Sequence, residues 1–284
     1  MQAMKKTLVA AALTGALALA SSGVMAQSIV FPDFVINESS VVGTLPGIFT
    51  ADKITGNYLE IITFGANNRF DVSLKFQAGQ FVANDGKNPI TDAQLGGKTD
   101  NQYQLYALYQ ASGTTSSGPN NSTKFTVLSG GSLNLFSDAK SDTTFGQPAT
   151  GNLAFTRANT TDDVLLATGA PLSGEGNLTP NASTCSAGGG SGINCGSFGN
   201  NVSFNLTSDG SKFFTEPSPF YQLSFQSGQL NNFTLSGTQE INGSLDLVFA
   251  SNAVPEPASI ALLGLGLVGL GLSRGRKSEK NKNA

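Results

Sequence analysis

The chain has 284 residues, 39% hydrophobic and only 12% charged, with 34 glycines, two cysteines and neither histidine nor tryptophan. A hydrophobic share of that size excludes a disordered chain, and the absence of histidine excludes a Ser-His-Asp triad and most zinc and iron sites. Between the two ends, nine basic residues stand against seventeen acidic ones, a net charge of −8 that has no grip on a phosphate backbone and excludes nucleic acid as a partner.

The chain opens with Lys5 and Lys6, followed by an apolar stretch over residues 8–20 and small residues at Val24 and Ala26. A positive start, a short apolar segment and small residues at the −3 and −1 positions are the marks of a Sec signal peptide, here residues 1–26 with cleavage before Gln27. The body, residues 27–253, alternates with period two. Phe70, Val72, Leu74 and Phe76 alternate with polar residues, as do Val202, Phe204 and Leu206, then Tyr221, Leu223 and Phe225, then Leu245, Leu247 and Phe249. Each run predicts a half-buried strand. Further strands are predicted over residues 58–64, 102–109, 124–128, 132–136, 164–167 and 232–235. Turn clusters such as Asn84-Asp85-Gly86 and Ser208-Asp209-Gly210 separate them. No long amphipathic helix is evident. The expectation is one all-β domain, a β-sandwich first and a jelly-roll-like or barrel-like closure second.

Within the body, Cys185 and Cys195 flank a Gly/Ser-rich segment. An even pair outside the cytoplasm predicts a disulfide that staples this loop. The acidic groupings are Asp138 with Asp142, Asp100 beside Asn101, and Asp162-Asp163. Asp162 and Asp163 are the calcium candidates, since oxygen-rich turns suit a hard cation, but no complete calcium motif accompanies them and acidic turn residues are usually only solvated. No other cofactor is expected. Sugar stacking would fall to Tyr58, Tyr103, Tyr106, Tyr109 and Tyr221 in the absence of tryptophan.

At the other end, Pro255-Glu256-Pro257 precedes an apolar run over residues 258–272 containing Gly264, Gly266, Gly269 and Gly271. Arg274, Arg276 and Lys277 follow it. The order describes a stop-transfer signal whose basic cluster stays in the cytoplasm and leaves the body outside. The run is shorter than the roughly 20 residues of a comfortable spanning helix. Together the triplet, the glycine-rich run and the basic cluster over residues 254–284 resemble the PEP-CTERM sorting signal. That resemblance implies a transient inner-membrane anchor in a Gram-negative bacterium, cleavage by an exosortase near Pro255 to Pro257, and delivery to the cell surface or matrix.

The body in turn resembles the flocculation-associated PEP-CTERM family. The resemblance lies in Ala51-Asp52-Lys53-Ile54-Thr55-Gly56-Asn57-Tyr58, in Gly79-Gln80-Phe81-Val82-Ala83-Asn84-Asp85-Gly86, and in Tyr103-Gln104-Leu105-Tyr106-Ala107-Leu108-Tyr109. Asp162-Asp163-Val164-Leu165-Leu166-Ala167 extends it. It implies a non-catalytic, adhesive role in exopolysaccharide, with the polysaccharide or a neighbouring cell surface as partner, and it carries no site residues. Two other classes remain open: a glycan-binding module, which needs exposed tyrosines in a shallow groove, and a glycan hydrolase, which needs two carboxylates facing each other about 5–10 Å apart.

Overall fold

The computed structural model describes residues 31–41, 47–96, 102–182, 184–185, 194–228 and 230–250. The expected signal peptide and sorting signal, with its hydrophobic run, lie outside the described residues. No described helix is long and apolar enough to cross a membrane.

The described chain is built from strands. In order they are β1 (Phe34–Asn37), β2 (Ile48–Ala51), β3 (Lys53–Phe64), β4 (Arg69–Ala83), β5 (Asn88–Pro89), β6 (Gln104–Ser117), β7 (Thr123–Val127), β8 (Ser132–Asp138) and β9 (Thr144–Gly146). There follow β10 (Thr156–Ala158), β11 (Asp163–Gly169), β12 (Pro171–Leu178), β13 (Gly196–Val202), β14 (Asn205–Leu206), β15 (Phe214–Glu216), β16 (Gln222–Ser227) and β17 (Thr238–Ala250). A single turn of α-helix, α1 (Gly210–Phe213), precedes β15.

Eight of these strands close on themselves. Going round, β3 pairs with β4, β4 with β6, β6 with β7, β7 with β12, β12 with β13, β13 with β16, β16 with β17, and β17 with β3 again. Every pairing is antiparallel. The result is a barrel, the barrel-like closure held as the second expectation, and not the sandwich expected first or a jelly roll. The all-β expectation stands, and closure needs no residue outside the described span.

Strand alternation carries one set of side chains into the lumen: Tyr58, Glu60 and Ile62 from β3, Phe70, Val72, Leu74 and Phe76 from β4, and Leu223 and Phe225 from β16. Aromatic rings close both ends. Toward one end Phe125 lies 5.7 Å from Phe70, 6.4 Å from Phe64 and 6.0 Å from Phe233. Toward the other, Phe34, Phe204, Phe214, Phe220 and Phe249 pack with centroids 4.8–6.3 Å apart, beneath the small sheet of β15, β1 and β2.

Connections separate by length. Residues 65–68 join β3 to β4, 118–122 join β6 to β7, 179–195 join β12 to β13, and 228–237 join β16 to β17. All four lie at one end, the hairpin end. The Cys185–Cys195 disulfide staples the third of them. Longer excursions, the start of β3 and the finish of β17 occupy the opposite end.

One excursion is an extension of the barrel strands themselves. β7 and β8 run in series along β6, with β7 opposite Gly113 to Ser117 and β8 opposite Gln104 to Gln110. Between them Gly130 and Gly131 have φ of +100° and +108°, which L side chains rarely adopt. A Cβ on Gly131 would come within 2.2 Å of the Gln110 carbonyl oxygen, whereas one on Gly130 would meet nothing within 4 Å. This break lets β7 turn into the barrel while β8 carries β11 and β14 as a side sheet.

Several predicted strands move or disappear. Residues 232–235 form no strand, and the run from Val202 to Leu206 is broken at Ser203 and Phe204, so that β13 ends and β14 begins. β12 was not foreseen, because its inward positions include Gly174 and Gly176 rather than large apolar residues.

Two stability outcomes follow. Gly131→Ala should cost about 2–3 kcal/mol through backbone strain and the forced approach, and Gly130→Ala distinctly less, as measured by urea denaturation. Replacing both Cys185 and Cys195 by serine should cost about 2–3 kcal/mol, the entropy of freeing a loop of this length, with the fold retained.

Candidate functional site

The acidic turn resolves the calcium candidates into separate roles. Asp138 ends β8 and stands opposite Asp163 at the start of β11. Its buried carboxylate accepts from the backbone N–H of Lys140 at 3.2 Å and of Thr143 at 2.9 Å, which shapes the turn between them. Asp163 shares Thr143 with Asp138, and accepts from the hydroxyls of Tyr106 and Thr143 and from Arg157 Nη1 at 3.2 Å. The Arg157 guanidinium lies over Phe136, 4.0 Å from its centroid, and donates to Tyr106 Oη at 2.7 Å. Asp163 is therefore engaged by an ion pair and two hydroxyls, and it is not among the carboxylates that converge with Asp162.

Asp162 instead joins Asp138 and Asp142, whose nearest carboxylate oxygens all fall within 4.8 Å of one another. That is three oxygens of the six to eight a calcium ion takes. Asp162 also accepts from the Lys140 N–H at 2.7 Å and has the Lys140 ammonium at 3.7 Å. A lysine thus already supplies part of the positive charge.

The tyrosines do not form a sugar platform. Tyr58, Tyr103, Tyr106 and Tyr109 are at most 3% exposed, and Tyr221 is half-buried with its hydroxyl donating to the Asp33 carbonyl at 3.0 Å. Tyr103 donates to the buried Glu38, which also accepts from the Gln94 N–H at 2.9 Å. Asp52 accepts from the Gly86 N–H at 3.1 Å. Both carboxyls hold loops, and burial pushes their pKa values up.

The lumen contains the group that the sequence reading passed over. Glu60 lies on β3 at an inward position between Tyr58 and Ile62, 8% exposed, and forms no ion pair among the described residues. A cavity of about 50 Å³ lies beside it, walled by Ile62, Phe70, Val72, Phe125, Phe198 and Phe233 among others. Tyr109 and Asn200 also line it, and the Tyr109 hydroxyl and Asn200 Oδ1 have no hydrogen-bond partner among the described residues. Burial pushes the Glu60 carboxyl up to about 7. Burial first, and then the Glu60 charge, raises the Tyr58 and Tyr109 phenols well above their usual range. The signal was present in the alternation: a carboxylate at an inward position of an otherwise apolar strand is out of pattern.

Glu60 makes stability depend on pH in a defined direction. Between pH 4.5 and about 7 the unfolded chain has lost this proton and the folded chain still holds it, so stability falls as pH rises. The loss should approach 1.4 kcal/mol per unit and total about 3 kcal/mol, complete above pH 7. Urea denaturation across this range should show that slope, and the difference between the natural chain and Glu60→Gln isolates it from Glu38 and Asp52, which act in the same direction.

Comparison with curated proteins and with solved structures gives no match. Residues 253–277 match the PEP-CTERM protein-sorting motif. The match includes Pro255, Glu256 and Pro257 and the basic Arg274, Arg276 and Lys277, and the motif implies recognition by an exosortase. It also implies secretion and membrane-anchored processing at the C-terminus, as found in Gram-negative bacteria. Joined to a nearly all-β body, this motif marks the chain as an exosortase-targeted, exported surface protein.

Proposed function

We propose that the protein is a non-catalytic matrix component that promotes cell aggregation by contacting exopolysaccharide with the hairpin end of its barrel. The observation that carries this reading is the position of the sorting motif relative to the barrel. β17 finishes at Ala250, at the end opposite the hairpins, and the motif begins at residue 253. From Ala250 to Pro255 five residue steps span at most about 18 Å. While anchored, the chain therefore holds one end of the barrel close to the membrane and turns the hairpin end away from it.

The composition of that outer end supports a neutral glycan partner. Asn67 and Asn68 in the first turn, Asn120 and Asn121 in the second, Asn194 beside the disulfide and Asn232 in the fourth connection are all exposed. The described residues of these four connections include no charged side chain. Amides donate and accept hydrogen bonds and suit the hydroxyls of uncharged sugars. The resemblance to flocculation-associated PEP-CTERM proteins points the same way. A glycan-binding module is the same contact put to another use, and it too would act through loops, since the tyrosines are buried. The proposed role calls for no cofactor.

The test is deletion and complementation in the source strain, scoring cell settling and surface-retained protein. The intact gene should restore settling, and a form lacking residues 254–284 should not. A deletion strain that settles normally would count against the matrix role. A second form carrying Asp at positions 67, 68, 120 and 121 separates display from contact. Aspartate tolerates the positive φ of these turns nearly as well as asparagine. That form should be exported and folded to the usual level yet settle poorly. Normal settling with four added negative charges would place the contact elsewhere on the barrel.

A further inference from the structure

We propose that the barrel lumen is a binding site for a small primary amine carrying an apolar chain. The inference is independent of the matrix role, because it rests on groups inside the barrel that a surface contact does not touch.

Three oxygen-bearing groups line the cavity with no partner among the described residues to account for them. Glu60 on β3 has no ion pair, and no hydrogen-bond donor among the described residues offsets its burial. Tyr109 Oη on β6 and Asn200 Oδ1 on β13 are unbonded, in side chains that are 1% and 7% exposed. Glu60 and Tyr109 lie in one cross-strand row on either side of Leu74. Asn200 enters from the opposite wall, where Gly174 leaves the space its amide occupies: a Cβ there would fall 1.8 Å from Asn200 Oδ1.

Buried polar groups are normally satisfied, and an orphan in a native interior calls for an explanation, a bound partner among them. One carboxylate and two neutral oxygens form an acceptor set. A protonated primary amine offers three N–H donors from one atom and the charge that a buried carboxylate lacks, whereas an alcohol offers one donor and no charge. The surrounding wall is aromatic: Phe70, Phe125, Phe198 and Phe233 suit both a cation at close range and the methylenes that follow it. The cavity of about 50 Å³ holds a head group and little more. Phe198 and Phe233 are only partly buried, so the chain of the amine leaves along them toward the hairpin end. An amino sugar, polar on every side, does not match such a wall.

The experiment is calorimetric titration of the protein without residues 1–26 and 254–284, at pH 7.5, with n-hexylamine, n-hexanol and glucosamine. Hexylamine should bind at least tenfold more tightly than hexanol, and glucosamine should not bind. Glu60→Gln should bring hexylamine to the level of hexanol, and Tyr109→Phe should weaken it several-fold. Equal affinity for amine and alcohol, or an unchanged affinity in Glu60→Gln, overturns the proposal. Failure of all three probes also overturns it and leaves water as the occupant. Should either variant fold poorly, the comparison of amine with alcohol on the unaltered protein still decides.

Discussion

The ladder between β17 and β3, from Thr238 opposite Thr63 to Val248 opposite Lys53, holds the first and last barrel strands together, and everything else in the molecule is arranged around it. Without it the eight strands would be an open sheet with two rows of unpaired N–H and C=O groups, a template for pairing with other chains. Closure removes both rows and converts the alternation of each strand into a division between lumen and outer surface. It also brings together residues far apart in sequence. The hairpins can form locally, but the barrel is complete only when the last strand has found the first. Topology of that kind orders folding toward a late, long-range step.

Closure leaves a lumen that must be filled, and the filling is uneven. Phenylalanines and aliphatics occupy both ends, while Gly174 and Gly176 on β12 contribute no side chain at all. Space is left where polar atoms collect: Glu60, the Tyr109 hydroxyl and the Asn200 carbonyl. An interior with an incompletely satisfied polar set is less stable than an apolar one of the same volume. Outside the lumen the contrast is plain. Asp138, Asp163 and Asp52 each accept well-placed hydrogen bonds and fix a turn or a strand junction. Those carboxylates explain themselves structurally, and Glu60 does not.

Period-two alternation made the strands legible where inward positions are large and apolar, as on β4, β16 and β17. It failed on β12 and β13, where Gly174, Gly176 and Asn200 stand at inward positions. Whether eight such strands make a sandwich or a barrel depends on which edges meet, and alternation along a strand contains no information about edges. The disulfide followed from compartment and pairing alone. The acidic groupings were visible as letters, but adjacency in sequence misled: Asp162 lies in the turn before β11 and Asp163 begins the strand, and the two carboxylates take different partners. Asp138 and Asp142, four residues apart, were brought together by a turn that the hydrogen bonds of the Asp138 carboxylate shape. The tyrosines failed as surface candidates because four of the five lie on strands or beside them with their own side chains buried.

The position of the sorting motif gains its meaning from the same closing ladder. β17 is held on one edge by β16 and on the other by β3, so the strand that leads to the motif is among the most firmly held in the molecule. A pull or a cut beyond Ala250 acts on a strand paired along both edges, not on a fraying terminus. An open sandwich ending in an edge strand would expose unpaired backbone at that point, next to the membrane and to other chains awaiting sorting. A barrel can be tethered and released by a short segment at one end without disturbing its fold. The end that is released carries the chain terminus, and the opposite end is left to loops whose residues are free to be chosen for what they touch.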